Sequence, residues 1–170
     1  MIGSSDPGAE DGSAKPDANR ESDVVPKRGR LLGLDYGTRR IGIAVSDDEQ
    51  RIASPLENYT RTRPEADALR LKTVAGEYRV VGVVVGLPLH MGGEEGQKAR
   101  EARNFGAWAA SATALPLAFW DERLTSAMAE EHLVSAQLSR KKRKMRLDKV
   151  AAQLMLQSFL ESRTRGDRVS

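Results

Sequence analysis

The chain of 170 residues contains no cysteine, only two histidines and few aromatic residues. The absence of cysteine excludes disulfide bonds and thiolate metal sites, which suits the cytoplasm. No apolar run approaches the roughly 18 residues that span a bilayer, so no membrane association is expected. His90 and His132 show no metal-ligand spacing, and without a Gly-x-Ser-x-Gly elbow Ser/His/Asp catalysis has no support. Any reaction chemistry is therefore expected from carboxylates and bases.

The N-terminal segment differs in composition from the rest. Residues 1–27 are rich in Gly, Ser, Pro, Asp and Glu, and they lack the basic and apolar regions of a signal peptide. We expect a disordered acidic tail there, a single folded domain over residues 28–163 and a short C-terminal tail over 164–170. Residues 1–26 hold six acids and two bases, which give this segment a net charge of −4. Because the whole chain has a net charge of +3, the remaining residues carry +7. The folded part is basic.

The bases cluster in the segment SRKKRKMR, residues 139–146. Such a face favours a polyanionic partner through the release of counterions, and nucleic acid is the expected one. A solvated loop is the alternative that charge alone leaves open. The bases of this run are Arg140, Lys141, Lys142, Arg143, Lys144 and Arg146.

The apolar pattern predicts an α/β domain with element order βββ-α-β-α-β-α-α. Two alternating runs flank a Gly-containing turn and indicate an antiparallel hairpin, and Pro55 favours an edge position or a bulge for the third strand. The order is that of an RNase H-like domain, with a mixed five-stranded sheet flanked by helices. The predicted strands are 31–36, 40–47, 51–60, 80–86 and 115–123, and the predicted helices are 64–78, 97–112, 125–138 and 147–162.

Carboxylates stand where core residues are expected. Asp35 ends the first strand, Asp121 and Glu122 end the last strand, and Asp148 lies in the first turn of the last predicted helix. On a helical wheel Asp148 shares the sheet-facing side, and the helix N-terminus would favour its ionised form. If the first and fifth strands are neighbours, Asp35 and Glu122 converge at one end of the sheet. Taken singly, each acid could be an ordinary turn, strand-end or helix-start residue.

Three converging carboxylates need cations, because they repel one another and are costly to desolvate. Oxygen ligands suit Mg²⁺ or Mn²⁺, and two such ions would support phosphodiester cleavage. Gly33 and Gly37 flank Asp35 and would leave room for metal and a phosphate backbone. In GLPLHMGGEEG, residues 86–96, glycines could expose amides to phosphate, but a tight connection is favoured since two glutamates would repel it.

Four blocks in order resemble signatures of the YqgF family, also called the RuvX-type Holliday junction resolvase-like proteins and described as pre-16S rRNA nucleases. They are LGLDYGTRRIGIAVSD, VVVGLPLHMGGEEG, WDERLTSAMAEEHL and LDKVAAQLMLQSFL, and the match spans about residues 30–162. The resemblance implies an RNase H-like nuclease with metal-binding, catalytic carboxylates at Asp35, Glu122 and Asp148. It favours Glu122 over Asp121 as the metal ligand. Asp121 would then either support the ligands without touching the metal or pair with Arg123.

The resemblance also implies bases near the site, a role that Arg39, Arg123, Lys149 and the 140–146 run match. Its substrate would be precursor 16S rRNA or, alternatively, a four-way DNA junction, for which a symmetric dimer is expected. A non-catalytic ribosome or nucleic-acid binding factor is a further alternative. LDYGTRR also resembles the first phosphate motif of kinases and actin-like ATPases, but those need two such domains, and this chain is too short.

Overall fold

The computed structural model describes residues 24–125 and 139–167, without the side chains of residues 143–149 and 167. This part of the chain forms five strands and three long helices, and the helix predicted over 125–138 falls almost wholly outside the described residues. The strands are β1 (Arg30–Tyr36), β2 (Arg40–Ser46), β3 (Ala53–Thr60), β4 (Val80–Leu87) and β5 (Leu117–Asp121), and the helices are α1 (Pro64–Glu77), α2 (Gln97–Thr113) and α3 (Arg140–Asp167).

The strands form one mixed sheet in the order β3-β2-β1-β4-β5. The hairpin of β1 and β2 is antiparallel, β3 extends it antiparallel, and β4 and β5 follow parallel to β1. The predicted mixed sheet is confirmed. β3 is an edge strand whose register shifts opposite Ile43 and Ala44, next to Pro55, so the proline lies where a lost backbone donor is tolerated.

Apolar side chains cover both faces of the sheet. One face packs against α1 and α2 through residues such as Leu71 and Phe105, and the other packs against α3 through Met155 and Phe159. The run from Val83 to Val85 is fully buried, as expected for a strand covered on both sides. No helix in the described ranges is long and apolar enough to cross a membrane.

Two glycines allow α3 to lie close against the sheet. A Cβ atom at Gly33 would come within 2.9 Å of Leu156 Cβ, and one at Gly42 within 3.3 Å of Ala152 Cβ. Gly33 therefore makes room for a helix, and the expectation that it clears space for a metal is wrong. Gly37 serves the hairpin turn, since a Cβ there would lie 2.5 Å from the carbonyl oxygen of Arg40.

Helix α3 differs from the prediction at both ends. It begins at Arg140 and ends at Asp167, so the basic run forms its first turns instead of a loop before it. Asp148 consequently lies in the third turn, where the potential of the helix N-terminus has faded, and the expected stabilisation of its ionised form by that terminus is wrong. A run of Lys and Arg continues a helix readily because these residues have high helix propensity.

The described structure also begins before the domain start expected at residue 28. Val25 is 1% exposed and packs beside Gly82, and the Arg163 guanidinium donates to its carbonyl oxygen at 3.1 Å. Arg163 also donates to the Pro26 carbonyl oxygen at 3.1 Å. The segment just before β1 is thus fastened to the C-terminal part of α3. Residues 1–23, where the acidic tail is predicted, lie outside the described residues.

Candidate active site

Asp35 lies at the carboxyl end of β1, in the middle of the sheet. Its backbone partner across the hairpin is Gly42, and its own Cβ would be 3.3 Å from a Cβ at that glycine. Because Gly42 has no side chain, the Asp35 carboxylate is not crowded from the neighbouring strand. The local sequence thus places an acid at the end of β1 and leaves space beside its carboxylate on the β2 side.

Glu122 follows β5 directly and reaches Asp35 across an intervening strand. The expectation that β1 and β5 are neighbours is wrong, because β4 lies between them. The two carboxyl groups nevertheless share a hydrogen bond, and Gly86 in β4 explains how. A Cβ at Gly86 would overlap Glu122 Oε1, so only glycine leaves a path for the glutamate over β4.

Burial and the Asp35 charge raise the pKa of Glu122 to about 7. Burial is the largest cause, followed by repulsion from Asp35, the hydrogen bond to it and the charge of Asp121. The protonated Glu122 carboxyl donates that hydrogen bond to the Asp35 carboxylate. The proton that the two acids share marks a place where a cation would be favoured.

Asp121, one residue earlier, has the opposite character. Burial acts to raise its pKa, but the hydrogen bonds and charge of Arg123 outweigh burial and hold that pKa below its usual value. Arg123 Nη2 lies 2.6 Å from Asp121 Oδ2, and Arg123 Nη1 donates to the Met91 carbonyl oxygen at 3.1 Å. The pairing of Asp121 with Arg123 thus also ties the end of β5 to the loop after β4. Asp121 therefore forms an ion pair with Arg123, whereas Glu122 is hydrogen-bonded to Asp35.

The loop between β4 and α2 is a tight connection. Gly93 has φ +88°, and its N–H donates to the His90 carbonyl oxygen at 2.8 Å, while the His90 N–H donates to the Glu94 carbonyl oxygen at 2.9 Å. A residue with a side chain would be strained at Gly93. These observations favour the turn interpretation of GLPLHMGGEEG over a phosphate cradle.

Two clefts meet at Asp35. The smaller, about 320 Å³, holds Asp35, Glu122 and Gly86, and it is closed on the α2 side by Lys98 and Glu101. The larger, about 820 Å³, runs from Asp35 along the β1–β2 turn and includes Arg39, Arg40 and Lys98. The carboxylates thus lie at the end of an open groove bordered by three bases. A polyanion could follow that groove to the acids.

The structure brings only some of the predicted site residues together. Asp35, Glu122, Asp121, Arg123 and Arg39 lie at or beside the two clefts. Arg140, Lys141 and Lys142 are exposed at the start of α3. The side chains of Arg143, Lys144, Arg146, Asp148 and Lys149 fall outside the described residues.

The backbone of α3 still places Asp148 at the same end of the sheet. Leu156 packs on Gly33, and Ala152, one turn earlier, packs on Gly42 opposite Asp35. Asp148 comes one further turn earlier, about 6 Å along the axis, beyond the carboxyl end of β1. Among the side chains that are described, no group of three His, Asp or Glu residues is placed to hold a metal ion. The described pair, Asp35 and Glu122, supplies two acidic oxygen donors.

Several residues of the site were not predicted from the sequence. Lys98, Arg40 and Asn58 line the groove, and Gly86 opens the path of Glu122. A sequence signal existed for Gly86, since it follows the run Val83–Val85 inside β4, and glycine in a strand indicates close approach of another group. Lys98 carried no such signal, because a lysine in a first helical turn is ordinarily solvated.

The comparisons with known proteins agree with this geometry. The RuvX family, described as Holliday junction resolvase, matches residues 29–162. The chain belongs to the RuvX family. A protein of Cereibacter sphaeroides (strain ATCC 17029) named "Putative pre-16S rRNA nuclease" is 46% identical over 137 residues, which cover 81% of this chain and 86% of that protein. A protein of Rhodopirellula baltica with the same name is 44% identical over 146 residues, covering 85% and 84%.

Among solved structures, Thermus thermophilus RuvC in complex with a Holliday junction substrate is similar in fold. It superposes with a TM-score of 0.54 at 17% sequence identity, covering 80% of this chain and 96% of RuvC. At that identity the likeness concerns the fold alone, and it confirms the predicted RNase H-like architecture.

Proposed function

We propose that this RuvX family member is a divalent-metal-dependent endonuclease that hydrolyses phosphodiester bonds in precursor 16S rRNA, at its 5′ end. The observation that carries the proposal is the Asp35–Glu122 pair, two acids held together at the end of a basic groove with the pKa of Glu122 raised to about 7. A fold does not gain stability from such a pair, so a ligand that binds carboxylates gives the better account of it. The proposed substrate puts the activity in the cytoplasm.

The donor set fits a hard divalent cation. Asp35 and Glu122 offer carboxylate oxygens, the ligand type that Mg²⁺ and Mn²⁺ take, and Asp148 would be the third ligand from α3. Two such ions held by these acids would supply positive charge to the attacking water and to the leaving oxygen of the phosphodiester. A cation that binds here would displace the proton on Glu122, and its charge would then offset the repulsion between the two carboxylates.

The protein's own bases would hold and orient the substrate. Lys98 borders both clefts, so its ammonium group is suited to a phosphate oxygen beside the acids. Arg39 and Arg40 would hold the strand where it crosses the hairpin turn, and the bases at the start of α3 would contact phosphates further away. Asp121 would act through Arg123 by fixing the peptide that carries Glu122.

The names of the relatives favour precursor rRNA as the substrate. A four-way DNA junction is the second candidate, favoured by the family description and by the fold likeness to RuvC solved with such a junction. Phosphate contacts by Lys and Arg do not separate RNA from DNA. A resolvase acts as a symmetric dimer that cuts two strands, so this candidate also requires a homodimer in solution.

The deciding experiment compares the wild type with Asp35→Asn on both substrates. Each protein is incubated with Mg²⁺ or Mn²⁺ and either precursor 16S rRNA or a synthetic four-way junction, with EDTA as the metal-free control. We expect cleavage of precursor rRNA by the wild type and a loss of about a thousandfold in Asp35→Asn, because several kcal/mol of charge stabilisation is removed.

Equal cleavage by Asp35→Asn would reject the site. Binding of either substrate without any cleavage would show a nucleic-acid binding factor instead of an enzyme. Paired cuts in the junction, with intact rRNA, would move the function to junction resolution.

A further inference from the structure

Besides the two clefts at Asp35, a further cavity of about 360 Å³ adjoins the cleft that holds Asp35 and Glu122. Aromatic rings and three polar side chains line it, and we call it the aromatic pocket. Its lining includes Tyr36, Phe105, Trp108, Arg61, Glu101 and Asn104. None of these residues has a part in the nuclease site proposed above, apart from the position of Tyr36 and Glu101 at its border.

The rings of the aromatic pocket form a row. Tyr36 and Phe105 have centroids 5.0 Å apart with planes at 36°, and Phe105 and Trp108 have centroids 5.6 Å apart at 37°. Phe105 is 5% exposed and anchors the row in the core, whereas Tyr36 and Trp108 are only partly buried. The row therefore presents ring surface to the cavity on a rigid base.

Arg61 is held in place over the first two rings of the row. Its guanidinium carbon lies 5.6 Å from the Tyr36 ring centroid and 6.0 Å from that of Phe105. Arg61 Nη1 donates to the Gly37 carbonyl oxygen at 3.2 Å, and Arg61 Nε lies 3.5 Å from the buried Asp67 carboxylate. Because the side chain is already ordered, a planar ligand stacking here would cost little additional side-chain entropy.

The aromatic pocket continues from the candidate active site. Tyr36 and Glu101 border both the cleft of Asp35 and the pocket, and Tyr36 follows Asp35 directly in β1. Consecutive side chains of a strand point to opposite faces of the sheet, so Asp35 and Tyr36 come together only at the carboxyl end of β1, where both line the same cleft. A strand whose phosphate lies at Asp35 can place a neighbouring base in the pocket.

We propose that the aromatic pocket receives one unpaired nucleobase next to the phosphate that is cut. A base is planar and apolar on its faces, which suits the ring row, and polar at its edge, which suits Arg61, Glu101 and Asn104. The positive charge of Arg61 also suits a polyanion. The proposal rests on the proposed function and adds to it that the enzyme selects single-stranded or unstacked sequence at the cut.

Tryptophan fluorescence tests the pocket without cleavage. The chain has two tryptophans, and Trp120 packs edge-on against Phe159 at 5.9 Å and donates to Thr125 Oγ1 at 3.2 Å, outside the pocket. In Trp120→Phe, Trp108 is the one remaining indole. With EDTA present, titration with a fluorescein-labelled single-stranded RNA 12-mer should quench Trp108 emission in step with the anisotropy rise of the label. A full anisotropy change with constant emission would overturn the proposal.

Affinity measurements give the second readout. We expect Trp108→Ala to bind the 12-mer about tenfold more weakly and Trp108→Phe to stay within about twofold, because phenylalanine keeps a stacking face. Leu69→Ala, an exposed position on α1, is the matched surface control and should bind as the wild type does. Circular dichroism melting of each variant shows whether it is folded at the assay temperature.

A set of 12-mers with one abasic position each separates stacking from a structural effect. In the wild type one position should cost about tenfold in affinity, and that cost should vanish in Trp108→Ala. Equal cost in both proteins would reject the pocket. This outcome is separable from failure of the nuclease proposal, since binding is measured in EDTA, where no cleavage occurs. Cleavage of RNA without a stacked base would reject the pocket proposal alone. A stacked base without cleavage would reject the nuclease proposal alone.

Discussion

Two acids of this molecule, the buried Asp67 in α1 and the partly buried Glu122 after β5, are held in opposite ways. The Asp67 side chain is 2% exposed and accepts hydrogen bonds from the Thr62 N–H and the Tyr59 hydroxyl, both at 3.0 Å. Burial acts to raise its pKa, but these donors and the nearby Arg61 outweigh burial and lower it. Around Glu122 the neighbours are Asp35 and Asp121, and its pKa is raised to about 7.

The contrast separates an acid that stabilises the fold from an acid of the proposed active site. Near Asp67 the chain supplies donors that close the loop before α1 onto β3, so the charge is satisfied within the protein. Near Glu122 it supplies another acid, so the partner of Glu122 is the Asp35 carboxyl group, and that pairing raises the pKa of Glu122 instead of lowering it. Arg123, the base that could have neutralised Glu122, is instead bound to Asp121.

Removal of the satisfied acid should have the largest effect on stability. Asp67→Ala leaves the Thr62 N–H, the Tyr59 hydroxyl and Arg61 without their common acceptor, and we expect a loss of about 3 kcal/mol in the free energy of unfolding. Urea denaturation of the metal-free protein measures it. Asp35→Asn is the matched control, and it should retain or gain stability because it removes repulsion in the Glu122 pair. Equal losses in the free energy of unfolding of the two variants would show that Asp67 and Asp35 contribute to stability in the same way.

Gly86 offers a way to displace Glu122, the acid of the proposed active site, without changing any charge. In Gly86→Ala the new methyl group would overlap Glu122 Oε1, so the carboxyl group must leave the path over β4. We expect cleavage to fall about a hundredfold, since small misplacements of reacting groups have costs of this size. Initial rates at saturating Mg²⁺ measure the effect.

Gly92→Ala is the control for Gly86→Ala. Gly92 lies in the loop after the same strand, where an added Cβ meets only Glu94 Oε1 at 3.9 Å, and its cleavage rate should match the wild type. Equal rates in Gly86→Ala and Gly92→Ala would mean that the position of Glu122 over β4 does not matter for the reaction.

The sequence was sufficient for the sheet and for selecting Asp35 and Glu122, which the structure brings together, but not for how they meet. Alternation of apolar residues and the valine run predicted the strands, because burial on one or both faces imposes these patterns. Strand order depends on contacts between distant segments, so the position of β4 between Asp35 and Glu122 was missed. The start of α3 was also missed, since SRKKRKMR has loop-like charge but residues with good helix propensity.

The last prediction turns the contrast into a pH dependence. The pKa of Glu122 is about 7 in the folded protein and near 4.5 when unfolded, so between these values the folded state binds a proton that the unfolded state has lost. Wild-type stability in EDTA should therefore fall as pH rises from about 4.5 through 7, whereas Glu122→Gln has no such proton to lose. We expect the two proteins to be similar near pH 4.5, and Glu122→Gln to be more stable by about 3 kcal/mol at pH 8. Asp67→Asn is the control: the pKa of Asp67 is lowered, and its carboxylate is not among the groups that raise the pKa of Glu122, so its stability difference from wild type should stay constant from pH 5 to 8. Thermal melts across this range measure both differences, and a constant Glu122→Gln difference would show that Glu122 is already satisfied within the protein, as Asp67 is.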